Sequence, residues 1–187
     1  MNKMSNKNKY TPPERWVWID LEMTGLNENS CVILQAAMII TDSNLHEIAC
    51  VDATIWQPEA ALASMVPVVK DMHTKNGLLK KVRASEVSLD EVEQQFMGIL
   101  SEHVAYQRGY LAGNSIYMDR TFLRVYMPSI ASYLHYRQLD VSSVKILAQE
   151  WCKLKAPKKP STHTALEDIR QSIEELKFFK DHCFKPL

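Results

Sequence analysis

Glycine is scarce in this chain, five residues in 187, and neither sign of charge is in excess, because Lys plus Arg and Asp plus Glu both number 22. The shortage of glycine excludes collagen-like and low-complexity repeats. With 46% apolar and 24% charged residues, the composition is that of a chain that folds on a core. The charge balance denies the protein the broad positive field with which proteins grip long duplexes through their phosphates, so any nucleic-acid substrate is expected to be small or held locally. Cysteine is sparse too. Cys31, Cys50, Cys152 and Cys183 form no C-x-x-C pair and have no His at zinc-finger spacing, which points to reduced thiols in a cytoplasmic chain. No apolar run is long enough to cross a bilayer, and Met1 to Pro12 is polar and rich in Lys and Asn, so neither a membrane anchor nor a signal peptide is expected.

What is present suggests an α/β domain. A chain of this length fits one core, with a flexible tail expected over residues 1–13 and a single domain over 14–187. Trp16 to Asp20, Val32 to Thr41 and Leu45 to Trp56 are rich in β-branched and aromatic residues and are separated by turn formers, which predicts three adjacent strands. Val92, Phe96, Ile99, Leu100 and Val104 recur at helical spacing behind Ser88, a suitable N-cap. Tyr110 to Gly113 reads as a strand, followed by a helix through Tyr126 that Pro128 interrupts. Arg137 to Val141 repeats the strand, and Ser142 or Ser143 can cap a helix running to about Cys152. Lys153 to Ser161 carries two prolines and four lysines and reads as a loop, before a last helix from about His163 to His182. Strands first, then alternating helix and strand, predict a mixed central β-sheet flanked by helices.

Several side chains in this frame could do chemistry. Asp20 and Glu22 stand at the end of an apolar strand, where positions i and i+2 point to the same side. Two converging carboxylates repel, and a hard divalent cation relieves them, although a D-x-E also occurs in ordinary solvated turns. Asp119 follows the turn Gly113-Asn114 at a helix start, where it suits the helix dipole with or without a ligand. His163 and Asp168 are five apart at the start of the last helix, so they would reach different atoms of one site. Taken alone, His163 reads more readily as a surface histidine than as a base. Together the five meet one requirement: two-metal phosphodiester hydrolysis needs acidic ligands holding ions about 4 Å apart, and a base near the attacking water. A histidine, with an ordinary pKa about 6.5, can be that base near neutrality.

The segments W-I-D-L-E-M-T-G-L (Trp18 to Leu26), G-N-S-I-Y-M-D-R-T-F-L (Gly113 to Leu123), H-Y-R-Q-L-D-V-S (His135 to Ser142) and H-T-A-L-E-D-I-R (His163 to Arg170) occur in this order. With them the sequence resembles the DEDDh 3'-to-5' exonucleases, and more closely their oligoribonuclease branch, from about Trp16 to Phe184. The resemblance implies a ribonuclease H-like fold and one exonuclease domain over residues 14–187. It implies that Asp20, Glu22, Asp119 and Asp168 hold two Mg²⁺ or Mn²⁺ ions and that His163 is the general base. It further implies a homodimer acting on short single-stranded RNA, from dinucleotides to about five nucleotides. The 5' end would be capped by Ser115, Arg137 and Ser142, with Tyr136 reaching across from the other subunit. Arg suits that task because its planar fork binds phosphate bidentately. Leu26 would wedge between bases, and His73 would lie near the scissile end.

The chain departs from that pattern at a few positions. Gln35 stands where relatives usually have Glu, Val68 roughly where they often have a base-stacking Trp, and Tyr117 and Met118 replace smaller or polar residues before Asp119. Two other readings share part of this evidence. A broader DEDDh exonuclease on longer single-stranded DNA or RNA uses the same five catalytic residues, but calls for a basic track with stacking aromatics. A non-catalytic nucleic-acid-binding dimer would have no reason to keep the whole set of ligands and base.

Overall fold

The alternation of large apolar residues in R-W-V-W-I-D-L-E-M makes Arg15–Met23 a strand buried on both faces (β1), and every residue of the next strand, Ile33–Thr41 (β2), is buried. In this computed structural model, residues 15–157 and 164–184 are described. The expected N-terminal tail, the end of the Lys/Pro loop and His163 therefore lie outside the described residues. β3 (Glu47–Thr54) completes an antiparallel meander with β2 and β1. β4 (Gly109–Gly113) joins the other side of β1 in parallel, and β5 (Gln138–Asp140) joins β4 in parallel. The sheet order is β3-β2-β1-β4-β5, the mixed sheet expected from the sequence.

Side-chain parity along β1 and β2 divides the core. Val17, Ile19 and Leu21 with Ala36, Met38 and Ile40 face one layer, filled by Val92, Phe96 and Leu100 of α4 (Leu89–His103), Phe122 and Leu123 of α5 (Tyr117–Tyr126) and Ile130 of α6 (Pro128–Tyr133). Trp18, Ala37 and Ile39 face the other, against Ala148 of α7 (Val141–Cys152) and Ile169, Ile173, Leu176 and Phe179 of α8 (Ala165–Cys183). Period-2 alternation thus decides which layer each strand residue supports. The capping box of α4 is complete: the Ser88 hydroxyl accepts from the Glu91 amide and the Glu91 carboxylate accepts from the Ser88 amide.

Three features differ from the sequence expectations. The cap of α7 is Asp140, whose carboxylate accepts from the Ser142 amide at 2.9 Å, not Ser142 or Ser143. An ionised acceptor makes the stronger bond and favours the positive end of the helix. The last helix begins at Ala165 with Thr164 as its cap residue, slightly later than expected. Finally, three short helices, α1 (Glu59–Ala63), α2 (Pro67–Lys75) and α3 (Leu78–Ala84), fill the span between β3 and α4. Leu62, Leu78, Leu79 and Val82 make a third apolar cluster there with Leu34 of β2, and Val69 of α2 packs against it.

Candidate active site

Asp20 and Glu22 extend the parity of Trp18, so their carboxylates emerge on the α8 side of β1 where the strand runs out of core. Asp168 stands in the first turn of α8 and completes a cluster: carboxylate oxygens of Asp20, Glu22 and Asp168 lie within 4.8 Å of one another. Asp119 approaches from the first turn of α5, and its Oδ1 accepts a hydrogen bond from the Leu21 amide at 3.0 Å, between the two β1 carboxylates.

The electrostatics of this arrangement are costly. Burial first, then the charges of Asp20, Asp168 and Asp119, push Glu22 from its ordinary 4.5 up to about 8. Asp119 is also raised, by burial and then by Asp20, while the Leu21 amide pulls it back. Four carboxylates gathered here, with Glu22 and Asp119 held above their ordinary pKa, form a site that a divalent cation stabilises. The donors are all carboxylate oxygens, and Mg²⁺ or Mn²⁺ prefers oxygen. The residues therefore fit a hard divalent metal.

Around this centre the structure places the other expected residues. His73 is fully buried on α2, with Nε2 3.1 Å from the Met23 carbonyl and 3.8 Å from Glu22 Oε2, so α2 buttresses Glu22. Leu26 is 68% exposed at the tip of the segment after β1. That segment is pinned from inside: the Thr24 hydroxyl accepts from the Val32 amide, and the Tyr126 hydroxyl bonds the carbonyls of Cys31 and Glu28. A Cβ on Gly25 would stand 2.8 Å from Cys31 Sγ, so a larger residue there makes the Cys31 side chain shift. Gln35 is buried and pairs with Glu22 in the β1–β2 register, and Val68 is exposed near the start of α2.

Ser115 and Ser142 meet, oxygen to oxygen, at 3.3 Å. Ser115 adopts a left-handed backbone (φ 52°), which turns its amide toward Asp140 Oδ1 at 3.0 Å and Ser142 Oγ at 3.1 Å. Tyr136 and Arg137 follow on the edge before β5. The Tyr136 ring is 74% exposed and stacks on His135, and the Arg137 guanidinium lies 5.3 Å from its centroid. The position of His163 is outside the described residues, so its place relative to the carboxylates is not part of this geometry.

Sequence reasoning missed the supports. Asn114 accepts from the Ser142 hydroxyl at 3.1 Å and donates to Ser172 Oγ at 2.7 Å, and Ser172 in turn bonds the Asp168 carbonyl at 2.8 Å. This chain of bonds ties the serine pair to the helix that carries Asp168. Arg120, next to Asp119, donates through Nη2 to the carbonyls of His135 and Arg137 at 3.0 and 3.3 Å, fixing the Tyr136–Arg137 turn. The Gly-Asn before Ser115 was the only local sign, and its partners lie too far along the chain for periodicity to find.

A family model described as an exonuclease matches residues 17–176. An oligoribonuclease of Francisella tularensis subsp. tularensis is 47% identical over 165 residues, covering 88% of this chain and 93% of the relative. One from Pseudomonas paraeruginosa is 44% identical over 176 residues, covering 92% and 98%. The chain belongs to the oligoribonuclease family of exonucleases. It is accordingly a nuclease, a hydrolase of phosphodiester bonds. Among solved structures, Escherichia coli exonuclease I in complex with a dT13 oligonucleotide superposes with a TM-score of 0.70 at 15% identity. That likeness establishes the α/β exonuclease fold, over 90% of this chain and 41% of the longer E. coli chain. No helix among the described residues is long and apolar enough to cross a membrane.

Proposed function

We propose that the protein is a 3'-to-5' exoribonuclease of short single-stranded RNA, dinucleotides to about five nucleotides, releasing nucleoside 5'-monophosphates. The observation that carries the reading is the gathering of Asp20, Glu22 and Asp168, with Asp119 against the Leu21 amide, in a chain 47% identical to an oligoribonuclease. In this reading the four carboxylates hold two Mg²⁺ or Mn²⁺ ions. Such ions, when bound, polarise the scissile phosphate and sharpen the attacking water as a nucleophile.

The remaining roles fall to the protein. His163, from the segment leading into α8, takes the proton of the attacking water on a ring nitrogen. His73 keeps Glu22 in place and borders the scissile end. Leu26, exposed on its pinned turn, inserts between bases. Ser115, Ser142 and Arg137 grip the 5' phosphate: two hydroxyls 3.3 Å apart offer hydrogen bonds and the guanidinium offers charge. Tyr136, largely exposed and stiffened by stacking on His135, closes that end from the other subunit of a homodimer. A cradle at the 5' end sets substrate length, because a longer strand cannot place its 5' phosphate there and its 3' end among the carboxylates at once. The even charge balance supports small ligands, since long strands call for a basic track.

The reading is tested with 5'-labelled RNA and Mg²⁺. Stepwise loss of single 3' nucleotides as 5'-monophosphates, absent in Asp20→Asn, is the expected result. Internal cleavage, or 3'-phosphate products, would rule it out.

A further inference from the structure

The stripe of α8 that carries Asp168 continues with two more polar side chains. Ser172 and Glu175 follow Asp168 at i+4 and i+7, so all three share one side of the helix, and the latter two are buried. Glu175 is only 5% exposed, and the proposed chemistry makes no use of it. Its two carboxylate oxygens are divided between neighbouring elements. Oε1 lies 3.0 Å from the Lys145 ammonium of α7, and Oε2 accepts a hydrogen bond from Asn114 Nδ2 at 3.3 Å. Lys145 stands three residues beyond Ser142 on α7, so the ion pair leads back to the helix turn that carries a cradle serine.

A buried ion pair adds little net stability over apolar side chains of similar volume, because the loss of hydration offsets the attraction. Charge gives Glu175 no direct part in binding either, since an anion two hydrogen bonds from a phosphate site opposes phosphate. What a carboxylate supplies here is polarity. It only accepts, so Asn114 must turn its amide nitrogen toward α8, where Ser172 Oγ takes the second hydrogen at 2.7 Å. The amide oxygen is thereby left facing Ser142, whose hydroxyl donates to it at 3.1 Å. That bond holds Ser142 Oγ at 3.3 Å from the Ser115 hydroxyl and 3.1 Å from the Ser115 amide. An Asn114 turned the other way would set its oxygen against the Glu175 carboxylate, acceptor against acceptor.

We propose that Glu175 is a positioning residue: with Lys145 on its Oε1, it fixes the direction of the Asn114 amide and so the placement of the Ser115–Ser142 pair for a 5' phosphate. The inference rests on the reading of that pair as the 5'-phosphate cradle. It makes reach, and not charge, the property of Glu175 that matters. Aspartate keeps the charge but is shorter by a methylene, and a bond already at 3.3 Å does not survive the retreat. Glutamine keeps the reach but has a single acceptor oxygen, for which Lys145 and Asn114 compete. Replacing Lys145 with Met in the same protein leaves that oxygen to Asn114, and because one charge of each sign is removed, the net charge beside the cradle is unchanged.

The test measures dissociation constants in Ca²⁺, which suppresses turnover, for one RNA dinucleotide with and without its 5' phosphate; the ratio of the two is the phosphate preference. Glu175→Asp should lower the preference about tenfold, the loss of one well-aligned charge-assisted contact. A merely structural role would weaken both ligands together. Glu175→Gln should also lose preference, and the double variant Lys145→Met/Glu175→Gln should regain it; this rescue carries the test if Glu175→Asp does not fold. A double variant that fails to regain what Glu175→Gln lost overturns the proposal, as does a preference that rises in Glu175→Gln, which would make Glu175 a charge that opposes phosphate and nothing more. A parent that prefers the phosphate while Glu175→Asp is unchanged removes the role of Glu175 and leaves the cradle standing. A parent with no preference removes the cradle itself, and this role with it.

Discussion

The Asp119 carboxylate accepts a hydrogen bond from the backbone amide of Leu21 at 3.0 Å, so the side chain that bonds between Asp20 and Glu22 also fastens α5 to β1. One group thereby serves both the proposed chemistry and the fold, and the two roles can be separated by substitution. Asn keeps an oxygen for Leu21 but loses the charge, whereas Ala loses both. We expect Asp119→Asn and Asp119→Ala to be equally inactive on a short RNA with Mg²⁺. In thermal unfolding Ala should be the less stable by about 1–3 kcal/mol, the cost of a buried amide left without a partner. Equal stability of the two variants would show that the bond contributes nothing, and activity in either would remove Asp119 from the metal site.

The raised carboxyl of Glu22 makes the metal-free protein sensitive to pH. Its folded pKa, about 8, lies above the ordinary 4.5, so between those values the folded chain keeps a proton that the unfolded chain has released. Stability should therefore fall as pH rises across that window. Asp119 is shifted in the same direction and adds to the slope. Melting temperatures in EDTA from pH 5 to 8.5 should decline, and Glu22→Gln should flatten the decline without abolishing it. Adding Mg²⁺ should release protons at pH 7, seen as buffer-dependent binding heats. A stability curve that rises with pH in EDTA would contradict the electrostatic account.

His163 is proposed as the base on the strength of the H-x4-D segment before Asp168. His163→Ala should lower kcat by about 10²- to 10⁴-fold, the usual contribution of a general base, with metal affinity kept. The ascending limb of the pH–rate profile should go with it. Loss of metal affinity in place of rate would make His163 a ligand.

Asn114 connects the serine pair to α8, and that connection should be visible in binding. Asn114→Ala leaves Ser142 and Ser172 without a shared partner, at a cost of about 1–3 kcal/mol in stability. If Ser115 and Ser142 cradle the 5' phosphate, the variant should also weaken dinucleotides carrying that phosphate more than those lacking it, measured in Ca²⁺ to suppress turnover. Equal losses for both ligands would mean that Asn114 serves the fold alone.

How much of this could be read from the sequence followed from the range of the interactions. β1, β2 and α4 were legible because their patterns are local: an apolar strand ending in two carboxylates, a buried β-branched run, and Ser88 with Glu91 as cap. The span after β3 was not, because helices of five to nine residues interrupted by Pro58 and Pro67 are too short for a 3.6-residue period to emerge. Asp140 was passed over as a cap because two serines beside it also suit the position. Of the site, the four carboxylates were found through their sequence blocks, not through spacing, since Asp119 is 98 residues from the amide that orients it. The supports, Asn114 with Ser172 and Glu175 at 58 and 61 residues' separation, carry no local signal. They emerge only once β4 and α8 stand side by side.

The central claim is that this is an enzyme of short RNA, measured by its own 5'-end cradle. Initial rates on 5'-phosphorylated RNAs of two to twenty nucleotides, with Mg²⁺ and equal concentrations, test it most directly. The account predicts the highest rate at two nucleotides, a steep fall beyond about five, and a flattened profile in Arg137→Ala, whose loss removes one charge-assisted contact and roughly one to two decades of dinucleotide affinity. Rates that hold level or rise with length, unchanged in profile by Arg137→Ala, would contradict it and make the protein an exonuclease of longer strands.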